Sequence, residues 1–466
     1  MKNSAGYRRR SKRRWRIHKG RALTAGLILA LLAAGVWALT NGHRRSPQPT
    51  VAASLSRAPA DFEPAAVTAP VAPLAPPWTS GELSQVRQAL DGAFAPAISG
   101  ARSWSLAVVT SNGAPIYGRG AQNAVAPASS QKLIVAATSL WALGPAYRFH
   151  TMFAARQGIG DNGVLDGNLW LIGSGDPSLW SSDLRNGIAM LAHSGLRRIG
   201  GGVVVDATAL SGPERNPHWG RDDDGQDYAA PTSAVSMDGD TVESHVLVGG
   251  AEQAVWTPMQ DVAHYVATAT QHMLAARGIA SATAPSVGAA PLESVVLWDH
   301  RSAPLAALEA HMLFVSDNHY AEQLLRTVGE EVTGMPNDVG GVAAERAFLA
   351  QRGIPNPGLR LLDGSGLSAE NRVAAITLAR LLAACQSSLY LLLPRGGREG
   401  TLEDYDFTTA LGRVRAKSGH LSDVSALAGY VTTRHHGRIA FAFLIDGSPA
   451  DPDAAIVRAV DRLSTF

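Results

Sequence analysis

The chain is short of several things. It has one cysteine, Cys385, which excludes an internal disulfide and a thiolate metal cluster. That cysteine lies in the apolar run from Leu378 to Leu393 and reads as a core residue. Lysine is nearly as scarce. Of five in 466 residues, Lys2, Lys12 and Lys19 sit in a basic N-terminus, and from residue 22 on only Lys132 and Lys417 remain, against more than two dozen arginines. Arginine keeps its proton in a protein and lysine can lose it, so two retained lysines point to a need for an amine; GC-rich coding would give the same bias. Net charge is only +2, with no basic surplus outside the N-terminus, so nothing suggests a nucleic acid partner. No G-x-S-x-G elbow, H-E-x-x-H helix or P-loop occurs.

Length allows a large core and more than one domain. Residues 1–21 carry ten Lys/Arg and no acid, and residues 22–39 are apolar and uncharged. Such a pair reads as a basic cytoplasmic tail and, over 22–40, an uncleaved membrane anchor or a signal segment, with the body exported. Residues 41–78, rich in Pro, Ala and Ser, read as a flexible linker. A helix is expected from Gly81 to Phe94, then strands over Trp104–Val109 and Ala114–Tyr117. Residues 146–292 have another texture, with short strands and Gly/Asp turns. Gly158 to Gly163 matches a dinucleotide-loop pattern but precedes a strand, so it reads as a hairpin turn. Arg221 to Gly225 reads as a solvated acidic loop. Helical patterning returns from Pro304 to Glu331, from Glu345 to Gln351 and from Ile376 to Leu393. Strands follow over Arg413–Lys417, Ser425–Thr432 and Arg438–Leu444, with His435 and His436 in the last turn and a helix from Asp453 to Leu463.

The stretch Pro127 to Leu140 holds Ser129 and, three residues on, Lys132. On a helix these lie about 60° apart on one face, while Ser130 lies on the far side. A serine one turn from an amine is a way to activate a nucleophile without histidine. A capping serine and a solvated lysine explain the stretch as well when it is taken alone. Two more motifs change that balance: Ser316-Asp317-Asn318 in a polar break between helical segments, and Lys417-Ser418-Gly419 at a strand end.

Ser-x-x-Lys, Ser-x-Asn and Lys-Ser-Gly in that order are the motifs of the penicillin-binding and serine β-lactamase superfamily. Gly167 to Leu179, Ala230 to Ser236, Asp317 to Leu324, Asp363-Gly-Ser-Gly-Leu-Ser368, Glu399-Gly-Thr-Leu402 and Ser425 to Val431 narrow this. From about residue 80 onward the chain resembles the class C low-molecular-mass penicillin-binding proteins, the D-alanyl-D-alanine carboxypeptidase/endopeptidases. The resemblance implies an α/β transpeptidase-like catalytic domain, an antiparallel sheet flanked by helices, built from residues 79–145 and 293–466. Residues 146–292 would be an inserted β-rich domain, since Ser129 and Ser316 stand 187 residues apart.

The resemblance also implies a function. The protein would hydrolyse peptidoglycan stem peptides ending in D-Ala-D-Ala through an acyl-enzyme on Ser129. Lys132 would be the base, Ser316 the proton relay to the leaving amine, and Asn318 a substrate-positioning amide. Lys417 and Ser418 would bind the terminal carboxylate. The backbone N–H groups of Ser129 and His420, which follows Gly419, would stabilise the oxyanion. β-Lactam antibiotics would be covalent inhibitors, and no metal or cofactor would be needed. The chain departs from the family at Ser418 and His420, where threonine is usual, and at Ala369, where arginine is common. Two other readings remain at this point: a β-lactamase, and a peptidoglycan-binding protein with a decayed site.

Overall fold

The computed structural model describes residues 76–248 and 251–466. The basic tail, the apolar segment and nearly all of the linker lie outside them.

Helix α1 (Ser80–Ile98) opens on a capping box, in which the Thr79 hydroxyl receives the Glu82 N–H and the Glu82 carboxylate receives the Thr79 N–H. Strands β1 (Ser103–Val109) and β2 (Pro115–Arg119) follow, then the two-residue strand β3 (Ala124–Val125). A 3₁₀ turn over Ala128–Gln131 leads into α2 (Lys132–Ala142). The expected helix is therefore present, but its α-helical part begins at Lys132 rather than before Ser129.

The next region contains β4 (His150–Ala155), β5 (Val164–Leu165), β6 (Leu169–Gly173), α3 (Ser181–His193), β7 (Arg198–Ile199) and β8 (Val203–Asp206). The two-stranded sheet of β9 (Thr241–Val248) and β10 (Ala251–Pro258) comes next. Its residues Glu243–Val255 fall outside the main compact unit. There follow α4 (Val262–Ala276), β11 (Ala280–Ser281), β12 (Ser286–Val287) and β13 (Val295–Arg301). The last part holds α5 (Leu305–Val315), α6 (Asn318–Thr333), α7 (Asp338–Gln351), β14 (Val373–Ala374), α8 (Ala375–Ala384) and α9 (Gln386–Leu389). It ends with β15 (Val414–His420), β16 (Val424–Thr432), β17 (Arg438–Asp446) and α10 (Pro452–Ser464).

The main sheet has the order β15-β16-β17-β1-β2 and is antiparallel throughout, as expected. Alternation along its strands builds two cores. Leu106, Val108, Phe441 and Phe443 pack with α1 and α10, whereas Ala107, Val109, Ala440 and Ala442 pack with α2 and α8. Every residue of α2 from Lys132 to Ser139 is buried, so this helix runs through the middle of the helical layer. Among the described residues no single helix is long and apolar enough to cross a membrane.

The second five-stranded sheet, β12-β8-β6-β4-β13, is mixed, with parallel pairs at β6–β8 and β8–β12. Two differences from expectation arise here. The region is not simply β-rich. The 13-residue α3 and the 15-residue α4 pack on this sheet, α4 through Val262, Val266, Ala267 and Leu274 at helical spacing. The region also runs past residue 292, because β13 completes the sheet against β4. The Gly158–Gly163 stretch lies in the connection between β4 and β6, which pair antiparallel, so it turns the chain between the arms of a wide hairpin, with the short β5 in between belonging to another sheet. His435 and His436 do lie in the β16–β17 turn, and His436 bonds to the Pro76 carbonyl and Glu82. Among the described residues no group of three or more His, Cys, Asp or Glu could hold a metal ion.

Candidate active site

Three segments meet at the start of α2. Ala128, just before the nucleophile candidate, has φ 47, a left-handed conformation rare for a residue with a side chain. That bend and the 3₁₀ turn bring the Ser129 side chain over Lys132, since residues three apart eclipse in a 3₁₀ turn. Lys132 Nζ lies 3.1 Å from Ser129 Oγ. Ser130 points elsewhere, donating to the Pro127 carbonyl at 2.7 Å.

Lys132 has two further partners. Asn318 Oδ1, at the start of α6, accepts from its amine at 2.6 Å, and the Ser365 carbonyl accepts at 2.7 Å. The Asn318 amide cannot be turned over, because its Nδ2 donates to the Tyr228 carbonyl at 2.9 Å. Both partners are thus obligate acceptors. A neutral amine has two N–H bonds and one lone pair. When both N–H bonds are directed to Asn318 and Ser365, the lone pair is left for the Ser129 hydroxyl proton.

The amine can be neutral near physiological pH. Lys132 is fully buried, and burial pushes its pKa down to about 8, against opposition from Glu322, Asp363 and Asp317. Lys417 is also fully buried and is pushed well below the ordinary lysine value, first by burial and then by the Lys132 charge. Burial comes first for both lysines, and charge on either amine disfavours charge on the other.

The third segment is β15. A Cβ added at Gly419 would stand 2.9 Å from the Ser129 and Ser130 nitrogens, so only glycine lets this strand lie so close to the nucleophile turn. Lys417 Nζ donates to the Ser418 carbonyl at 2.7 Å. Ser316 stands at the C-terminus of α5 in the left-handed region, φ 64, two residues before Asn318. Among the described residues its hydroxyl makes no hydrogen bond, in contrast to Ser129 and Asn318, which touch Lys132 directly.

The D-Ala-D-Ala carboxypeptidase 3 (S13) family model matches residues 86–252 and 245–465. The chain belongs to that family. It is 31% identical to a carboxypeptidase of Mycobacterium tuberculosis over 363 residues, 73% of this chain and 74% of that one. It is 28% identical to the D-alanyl-D-alanine carboxypeptidase of Actinomadura sp. (strain R39) over 458 residues, 82% of this chain and 85% of that one. Among solved structures, penicillin binding protein 4 (dacB) of Haemophilus influenzae has the same fold, with a TM-score of 0.73 at 24% identity, covering 80% of this chain and 98% of its own.

In this S13-family site some groups come from outside the three motifs. Ser418 shares a hydrogen bond of 2.8 Å with Thr401 Oγ1, which belongs to the Glu399-Gly-Thr-Leu402 stretch. His420 turns its Nε2 to Asp453, at 3.1 Å and 3.3 Å from the two carboxylate oxygens. Asp363 is fully buried and accepts from the Trp219 indole, from Asn371 and from the Gly366 and Ser368 N–H groups. Gln131 also donates to the Asp363 carbonyl. Ala369, where arginine is common, gives its carbonyl to Arg372. Sequence motifs flagged the stretches that hold Thr401 and Asp363 without giving either a role. The Tyr228 and Ser365 contacts are made by backbone carbonyls, which leave no mark on side-chain patterns.

Proposed function

We propose that the protein is a serine D-alanyl-D-alanine carboxypeptidase/endopeptidase acting on peptidoglycan stem peptides through an acyl-enzyme on Ser129. The observation that carries this is the Lys132 amine, 3.1 Å from Ser129 Oγ with its other two directions taken by obligate acceptors.

In the first step Ser129 Oγ attacks the carbonyl carbon of the D-alanyl peptide bond while its proton passes to Lys132. The oxyanion forms at the start of α2, where the backbone N–H groups of Ser129 and His420 would hold it, each such donor contributing about 3 kcal/mol. The N-terminal end of the helix dipole adds to that field. Collapse breaks the C–N bond, and Ser316 relays a proton to the leaving amine. Lys417 and Ser418 bind the substrate's terminal carboxylate, with Thr401 holding the Ser418 hydroxyl in place. Water then attacks the ester, Lys132 takes its proton, and Ser129 is restored.

β-Lactams should acylate the same serine; the Haemophilus influenzae relative has been solved as a complex with a β-lactam. The body would work on the outer side of the cell membrane, held there by the N-terminal segment. The support is in the sequence, where ten Lys/Arg precede an uncharged apolar run at residues 22–39.

Incubation of the full protein with cross-linked muropeptides, with products identified by mass, tests the reading. Release of D-alanine or cleavage of D-alanyl cross-links is expected. Unchanged muropeptides, or rapid turnover of a chromogenic β-lactam in their place, would overturn it.

A further inference from the structure

Behind the three partners of Lys132 stands a carboxylate with no part in those steps. Glu322 lies on α6 one turn after Asn318 and is 1% exposed. Its Oε1 accepts the Ser365 N–H at 2.8 Å, and its two oxygens receive the Gly364 N–H at 3.2 Å and 3.1 Å. Ser365 in turn gives its carbonyl to Lys132 at 2.7 Å. A single residue of the 363–368 loop thus links a buried carboxylate to the amine.

The loop has no room to slide away. A Cβ at Gly364 would stand 2.5 Å from the Ala321 carbonyl of α6. Gly366 has φ +79, and a Cβ there would stand 2.0 Å from the Ala128 carbonyl, just before the nucleophile. The loop is wedged between α6 and the Ser129 turn, so whatever fixes its peptide groups also fixes the Ser365 carbonyl on Lys132.

The surroundings are rich in acid. Asp317 caps α6, and Asp363 sits in the loop itself. Two more come from α7: Asp338, and Glu345, which is buried with neither carboxylate oxygen bonded. Arg326 is paired with Asp338 at 2.7 Å. Lys417 approaches from the β15 side. Lys132 is the cation that faces Glu322 across the Ser365 peptide. Burial lowers the proton affinity of Lys132, and Glu322 is the strongest charge opposing that. Burial, with Asp363 and Asp338, raises the proton affinity of Glu322. The two shifts run toward each other.

We propose that Glu322 is a positioning residue for the reaction: it holds the Ser365 carbonyl on Lys132, and its charge sets the pH at which Lys132 becomes the free base. The inference rests on Lys132 being the base for Ser129.

The test is the pH profile of penicillin acylation between pH 5.5 and 10, with D-alanine release and melting temperature measured alongside. Glu322→Gln keeps the shape and one acceptor oxygen but removes the charge. Burial pushes Glu322 itself up to about 8, so its charge acts in the upper part of the profile: removing it lowers the Lys132 proton affinity there, and the midpoint should move to lower pH with the rate at pH 8 rising by up to about twofold. Glu322→Asp keeps the charge and loosens the loop. It should leave the midpoint in place and lower the plateau rate, with KM little changed. A Glu322→Gln profile with the wild-type midpoint, or a rate reduced by one factor at every pH, would overturn the proposal and leave only a structural role. If Glu322→Gln does not fold, a displaced midpoint in Glu322→Asp would overturn it as well. Failure of the wild-type protein to acylate would instead be failure of the reading it rests on.

Discussion

Asn318 Oδ1 lies 2.6 Å from Lys132 Nζ, and the orientation of that amide is fixed by the Tyr228 carbonyl on its other side. Tyr228 belongs to the long region between the first and second motifs, so that region helps set the geometry of the amine. Asn318→Asp puts a carboxylate against the amine. It should raise the Lys132 proton affinity and move the acid limb of the acylation profile to higher pH, opposite in sign to Glu322→Gln. At pH 7 the rate should fall by about tenfold for each unit of displacement. A stopped-flow pH series with a reporter β-lactam reads this directly.

Lys132→Met removes the proposed base and fills much of the same volume. Acylation should drop by at least about a thousandfold, since a free serine hydroxyl is a poor nucleophile. Stability should change in a pH-dependent way. With a folded pKa of about 8 and an unfolded value of about 10.4, the unfolded wild-type chain binds more protons between these limits. Wild-type stability should therefore rise relative to Lys132→Met as pH increases from about 8 to about 10. Denaturant melts at pH 7 and pH 10 measure this difference.

Thr401→Val removes the hydroxyl that meets Ser418 and keeps the β-branched shape. Ser418 lacks the methyl group that would restrict a threonine rotamer, so it depends more on this partner. KM for a D-Ala-D-Ala peptide should rise several-fold with kcat nearly unchanged, and Thr401→Ser should restore it. Steady-state kinetics on the three proteins decide the matter.

The sequence made the main sheet legible because its strands are well patterned and bounded by clear turns. The last three strands fall within three residues of where alternation places them, and the Ser129–Lys132 pairing is legible once the spacing is read together with the two later motifs. The region after Phe149 was harder to read. The apolar face of α4, Val262, Val266, Ala267 and Leu274, was present in the sequence, but the short surrounding strands suggested β structure. Strand β13 has strand-like composition in Val295, Val296, Leu297 and Trp298, but a boundary drawn at residue 292 separates it from β4, its partner in the sheet. The acidic surroundings of Lys132 were not foreseen either. Glu322, Asp363 and Glu345 come from separate elements, and only the folded chain brings them together.

Gly366→Ala tests the tightness of the loop behind the amine. The substitution requires a side chain at φ +79 and a Cβ 2.0 Å from the Ala128 carbonyl. A loss of about 3–5 kcal/mol is expected, with acylation slowed in whatever protein folds. Gly113→Ala, at φ 84 with open space around its Cβ, is the control for the backbone strain alone and should cost about 1–2 kcal/mol. Chemical denaturation compares the two.

The account's central claim is that Ser129 is the residue acylated with Lys132 as its base. The most direct measurement is peptide mapping by mass spectrometry after brief exposure to penicillin. The account predicts one adduct, on the peptide containing Ser129, absent from Ser129→Ala and nearly absent from Lys132→Met. An adduct on another residue, or equal labelling of Ser129→Ala, would contradict it.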